Sequence, residues 1–186
     1  MAPGDYTNGG SQERAEVMAS IASTGSPREG RAAWFAWSSL FPTGTHVDSP
    51  NGWLAFTQWH QSGNSGVPNV ALELTRTNPI GVILRGRGQG LRGGQPTWVT
   101  ERNLGAIRTN SWVDFKVYIK WSANPRVGRI IVRINGRVVA NTAAATLYSG
   151  MSAYLKQGIC RANSRQRQTI YHTGTRRGPT LASVAR

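Results

Sequence analysis

"GRIIVRINGRVVANT", residues 128–142, decides the fold class. Asn135-Gly136 stands between two alternating runs, and this residue pair tolerates the positive φ angles of a two-residue hairpin turn. Ile130, Val132 and Ile134 fall on one face and are expected inward. Arg129, Ile131 and Arg133 share the other face, which is mixed rather than purely polar. The segment predicts two antiparallel strands with one buried side.

Working outward, the same period-2 pattern recurs. "SWVDFKVYIKWS" (111–122) places Val113, Phe115, Val117, Ile119 and Trp121 on one face, assigned to a core. Trp112, Asp114, Lys116, Tyr118 and Lys120 take the other. "AAWFAWSSLF" (32–41) and "GWLAFTQWHQ" (52–61) read as aromatic-rich strands; "NVALELTR" (69–76), "IGVILRG" (80–86) and "TIYHTG" (169–174) read as further strands. Helix signals are weak, with one turn expected near "TLASVA" (180–185). Many short strands separated by Gly, Pro, Asn and Ser predict an all-β sandwich or jelly roll. The 186 residues show no internal repeat and no domain-length linker, which suits a single domain over 1–186.

Composition narrows the partners. Lys and Arg number 22 against 8 Asp and Glu, a formal net charge of +14. Such a surface draws polyanions: acidic polysaccharide, nucleic acid or an acidic protein surface. The plain alternative is a solvated basic face without a dedicated ligand. One cysteine, Cys160, excludes an internal disulfide framework. No apolar run reaches the roughly 20 residues of a membrane span, so no membrane partner is expected. The opening "MAPGDYTNGG" has neither the basic start nor the apolar stretch of a signal peptide.

Three short stretches carry polar residues at strand spacing. "RAEV" puts Arg14 and Glu16 on one face, "QWHQ" puts Gln58 and His60 on one face, and "YLKQGIC" aligns Tyr154, Lys156, Gly158 and Cys160. Singly, each has an ordinary explanation: a weak same-face ion pair, a satisfied histidine, an exposed lysine. Together they describe a sheet face suited to an anionic, hydroxyl-rich ligand.

"RAEV", "WFAWSSLF", "QWH" and "YLKQGI", occurring in that order, resemble the jelly-roll polysaccharide lyases of the alginate lyase, glucuronan lyase and heparin lyase I group; "GRIIVRINGRVV" and "TIYHTGTRRG" fit its glucuronan lyase and heparin lyase I branch. The resemblance runs from about Gly4 to about Val184. It implies a concanavalin A-like β-jelly roll of two curved antiparallel sheets, with the substrate on the concave face. It further implies β-elimination at a uronic acid. Carried over by motif, Arg14 and Gln58 neutralise the carboxylate, stabilising the enolate-like charge that develops when the C5 proton leaves. His60 is a base or a further neutraliser, and Lys156 and Tyr154 contact substrate.

The sequence departs from the group at two places. The proton-transferring tyrosine that closes the group's Tyr-x-Lys-x-Gly-x-Tyr pattern is Cys160 here. A thiol has the lower ordinary pKa, about 8.5 against about 10, but its sulfur stops several ångström short of a phenol oxygen. The strands that precede "RAEV" in the group are also expected to be missing, leaving a sheet edge open to a partner or a second copy. Three readings therefore stand: an active lyase, a non-catalytic glycan-binding or structural module such as a phage or virion surface component, and, least favoured, a non-specific nucleic-acid binder. An extracellular or virion-associated place is the expectation. No cofactor is implied; a structural calcium is conceivable in the fold, but no Asp-rich loop points to one.

Overall fold

The computed structural model describes residues 12–19, 27–48, 52–63, 67–93 and 95–185. The opening stretch "MAPGDYTNGG" and any strand before "RAEV" lie outside the described residues. Eleven described strands form two antiparallel sheets. The six-stranded sheet holds β1 (Gln12–Met18), β3 (Leu54–Gln61), β4 (Val70–Leu74), β5 (Gly81–Arg92), β6 (Gln95–Ala106) and β10 (Ala153–Ala162), in the order β1-β10-β3-β4-β5-β6. The five-stranded sheet holds β2 (Ala32–Leu40), β7 (Trp112–Lys120), β8 (Arg129–Ile134), β9 (Arg137–Ala143) and β11 (Tyr171–Gly178), in the order β11-β2-β7-β8-β9. A short 3-10 turn, Ala182–Val184, ends the described chain as the sequence suggests.

The hairpin at Asn135-Gly136 forms as its sequence dictates. Both residues have positive φ (48° and 81°), and Ile134 pairs with Arg137 across the turn. Alternation then fixes the core. Val113, Phe115, Val117 and Ile119 of β7 and Ile130 and Val132 of β8 are buried. They face Leu54, Trp59, Leu72, Val82 and Leu84 of the six-stranded sheet in one continuous cluster. Trp59 meets Phe35 edge-on at 5.0 Å and Trp37 at 6.2 Å, and Trp37 stacks on Phe115 at 5.3 Å. The two Trp59 contacts join the sheets, while Trp37 and Phe115 stack on neighbouring strands of one sheet, and each fully buried ring of this kind is worth about 1.5–3 kcal/mol in burial alone.

Two features position the strands that carry the polar motifs. Glu13 of β1 and Arg161 of β10, both buried, form an ion pair at 2.6 Å, and the Arg161 guanidinium also donates to Gln166 O at 2.8 Å. Breaking such a pair leaves a buried charge, a cost of about 3–5 kcal/mol, so β1 is held firmly to β10. Farther along, Gly158 adopts φ 144°, and a Cβ there would lie 2.2 Å from Ala15 O. Only glycine lets β1 approach β10 this closely.

β6 was not anticipated from sequence. Its burial shows little alternation, because it lies at the rim of its sheet and most of it is exposed on both faces.

Candidate active-site groove

Strand β10 lies between β1 and β3, so the three polar motifs become neighbours. Arg14 pairs with Cys160, Lys156 with Gln58, and Tyr154 with His60. Gln58 and Ala55 are three residues apart yet both line the same surface, because β3 gains a residue between Ala55 and Thr57 relative to β4. All six sequence-predicted site residues line one groove of about 830 Å³. It lies on the face of the six-stranded sheet turned away from the core, since its lining residues alternate with Trp59, Leu72 and Leu84.

Glu16 organises the centre of this groove, which its sequence reading as a weak surface pair did not suggest. Its side chain is 3% exposed. Oε2 lies 2.5 Å from Lys156 Nζ and 3.2 Å from Arg14 Nε, and Oε1 accepts a hydrogen bond from the Gln58 amide. Two cations against one carboxylate leave a local formal charge of +1, the amount that one further carboxylate would cancel. Gln58 has a second amide hydrogen and Lys156 two further ammonium hydrogens, so both retain donors for a ligand after binding Glu16.

His60 presents a free imidazole nitrogen. Its Nδ1 lies 3.2 Å from Gln61 O; a carbonyl only accepts, so Nδ1–H donates and Nε2 carries the lone pair. Burial lowers its pKa from the usual imidazole value, and the charges of Lys156 and Arg14 lower it further, against the opposing pulls of the Gln61 carbonyl and Glu16. His60 is therefore neutral and able to accept a proton at neutral pH. His172, by contrast, is packed between the sheets against Phe56 and hydrogen-bonded to Ser39 Oγ at 3.0 Å, with its pKa pushed down by burial to about 4.

Tyr154 is the one phenol among the described groove-lining residues. Its ring centroid lies 5.7 Å from that of His60. Burial raises its pKa, opposed by Arg14 and assisted by Glu16, so it is a protonated donor at neutral pH. Cys160 is 3% exposed, and burial together with Glu16 raises its pKa despite Arg14 beside it. It remains a thiol at neutral pH and is a poor nucleophile.

Residues beyond the three motifs complete the groove wall. Glu73 of β4 is paired with Arg85 Nε at 2.8 Å and with Arg87 at 3.1 Å, and Arg85 also bridges to Glu101. Alternation in "ALEL" and "ILRGR" would have placed Glu73, Arg85 and Arg87 on this face; their relation to β3 is tertiary. Among the described residues, no three His, Cys, Asp or Glu side chains gather as metal ligands would.

A family model described as polysaccharide lyase matches residues 2–176. This chain belongs to the polysaccharide lyase family. Among solved structures, it is similar to an endo-β-1,4-glucuronan lyase from the fungus Trichoderma reesei, with a TM-score of 0.75 and 16% identity over 96% of this chain and 80% of that one. An alginate lyase from Pseudomonas aeruginosa superposes with a TM-score of 0.64 and 15% identity, covering 94% and 78% of the two chains. An alginate lyase variant in complex with an alginate trisaccharide gives 0.54 and 17%, covering 80% and 70%. No curated protein sequence matches. At these identities the superpositions establish that this polysaccharide lyase has the jelly-roll fold of that group, as its sequence motifs implied.

Proposed function

We propose that the groove binds a uronic-acid-containing polysaccharide and cleaves it by β-elimination. The observation that carries this reading is the convergence of Arg14, Gln58, His60, Tyr154 and Lys156 around a local charge of +1. Arg14, Lys156 and the second amide hydrogen of Gln58 hold the uronate carboxylate and take up the charge that develops as the α proton leaves. His60 Nε2 accepts the C5 proton. The C4–C5 double bond forms, the C4–O bond breaks, and Tyr154 gives its proton to the departing glycosidic oxygen.

Cys160 favours a second reading, in which the groove binds the polymer without cutting it. With a thiol where the sequence resemblance implies a phenol, one proton-transfer group is displaced from its expected place, and such a group contributes about 10²–10⁴-fold in rate. The test is direct. The protein is mixed with glucuronan, alginate and heparin, and the ultraviolet absorbance of the unsaturated product is followed. Slow product formation from at least one polymer, abolished in His60→Ala, is expected. Salt-sensitive binding with no product from any of the three would leave binding as the function.

A further inference from the structure

A second surface has the make-up of a sugar site and lies outside the groove. Trp98 of β6 is 44% exposed. It pairs with Gly88, whereas its neighbour Val99 pairs with Arg87 on the groove side, so the indole projects from the opposite face of the sheet. There it borders a shallow hollow of about 710 Å³ together with Glu29, Gln89, Asn124, Arg126 and Ser149.

The hollow is built from fixed parts. Trp98 Nε1 donates to Thr100 Oγ1 at 3.2 Å, which sets the ring and leaves a face open. Glu29 accepts from Ala123 N at 2.8 Å, and Asn124 Oδ1 accepts from Arg126 N at 2.9 Å. Gln89 sits at φ 72°, a conformation unfavourable for any residue with a side chain. It is held by Gln89 N to Leu147 O at 2.8 Å and Ser149 N to Gln89 O at 2.9 Å. Strain maintained by surrounding bonds, with the side chain turned to a hollow, is a recurrent mark of a functional surface. Among the described residues, the Gln89 amide, the Arg126 guanidinium and the Ser149 hydroxyl make no hydrogen bond to another side chain.

We infer that this hollow is a second carbohydrate-binding site, taking one pyranose ring of a polysaccharide chain. A pyranose presents an apolar C–H face that stacks on an indole and a rim of hydroxyls that needs both donors and acceptors. Trp98 supplies the first; Gln89, Asn124, Arg126, Ser149 and the second Glu29 oxygen supply the rest. Arg126 and Glu29 cancel in charge, so recognition here rests on shape and hydrogen bonding. The groove, with its local +1, relies on charge. The two sites therefore respond differently to salt, and this inference stands apart from cleavage.

Glucuronan binding is measured by isothermal titration calorimetry at low salt and at about 1 M salt, where the screening length is only about 3 Å. The wild-type protein is expected to keep a salt-resistant component. Trp98→Ala should weaken that component roughly tenfold, Trp98→Phe should keep most of it, and Lys156→Ala should lower only the low-salt component. Circular dichroism checks that each variant is folded; because Trp98 is half exposed, its replacement is tolerated. Absence of salt-resistant binding in the wild type, or its survival unchanged in Trp98→Ala, overturns the inference. So does a change of oligomeric state in Trp98→Ala without a change in glucuronan binding, which would make the hollow a contact between copies.

Discussion

Glu16→Gln probes the centre of the groove with almost no change of shape. The amide has one accepting oxygen, so it cannot serve Lys156, Arg14 and Gln58 together as the carboxylate does. Lys156, 7% exposed, loses the partner 2.5 Å away, whereas Arg14, with 31% of its side chain exposed, recovers water. The destabilisation therefore falls at the low end of the buried-pair range, about 3 kcal/mol. At roughly 2–4 °C per kcal/mol for a chain of this size, Tm should fall by about 6–12 °C. The local charge rises from +1 to +2, with a defined electrostatic signature. Glu16 raises the pKa values of His60, Tyr154 and Cys160; its removal lowers all three. Because the chain has a single cysteine, alkylation rate against pH reports on that thiol alone, and its midpoint should move to lower pH. Under the proposed chemistry, His60 must be neutral and Tyr154 protonated. Both limbs of the pH–rate profile should then move to lower pH as well. A thiol midpoint that stays in place, together with an unchanged Tm, would refute the placement of Glu16 as the charge at the centre of the site.

Two further outcomes follow from the same geometry. Cys160→Tyr returns a phenol to the groove beside Arg14 and should raise the elimination rate by about 10²–10⁴-fold, at a packing cost of about 1–3 kcal/mol at a position only 3% exposed; initial rates of product absorbance decide it, and an unchanged rate in a folded, polymer-binding variant would count against the assigned chemistry. His172 has its pKa lowered to about 4 in the folded protein against the usual 6.5. The unfolded chain therefore takes up the proton first as pH falls, and stability present above about pH 6.5 is lost progressively down to about pH 4, by about 3 kcal/mol in all; urea unfolding across that range should show the slope, and His172→Gln should flatten it.

Much of the fold was legible because burial enforces alternation. β7 and the β8–β9 hairpin have one face sealed by the opposite sheet, so their sequences carry a clean period of two and a turn pair with the required φ angles. β6 carries no such record, since a rim strand exposed on both faces is not constrained to alternate. The groove was legible in pieces: Arg14, Gln58, His60, Tyr154, Lys156 and Cys160 each fell on the strand face that lines it. What spacing could not supply was adjacency. That Glu16 is a buried centre rather than a surface partner of Arg14 depends on Lys156 and Gln58 arriving from two other strands. The bulge in β3 that turns both Ala55 and Gln58 toward the groove likewise exists only in the paired sheet.

The place of β10 between β1 and β3 has a consequence for how the molecule is made. Glu13 and Arg161, which clamp β1 to β10, are 148 residues apart. As the chain leaves the ribosome, β3 and β4 can pair early, but the inner edge of β3 stays unsatisfied until β10 has emerged. Closing so long a loop is slow, and an uncovered strand edge invites association between nascent chains. Arg14, Lys156 and His60 thus meet only when β10 inserts between β1 and β3. The groove gathers its polar side chains in the same event that covers this strand edge.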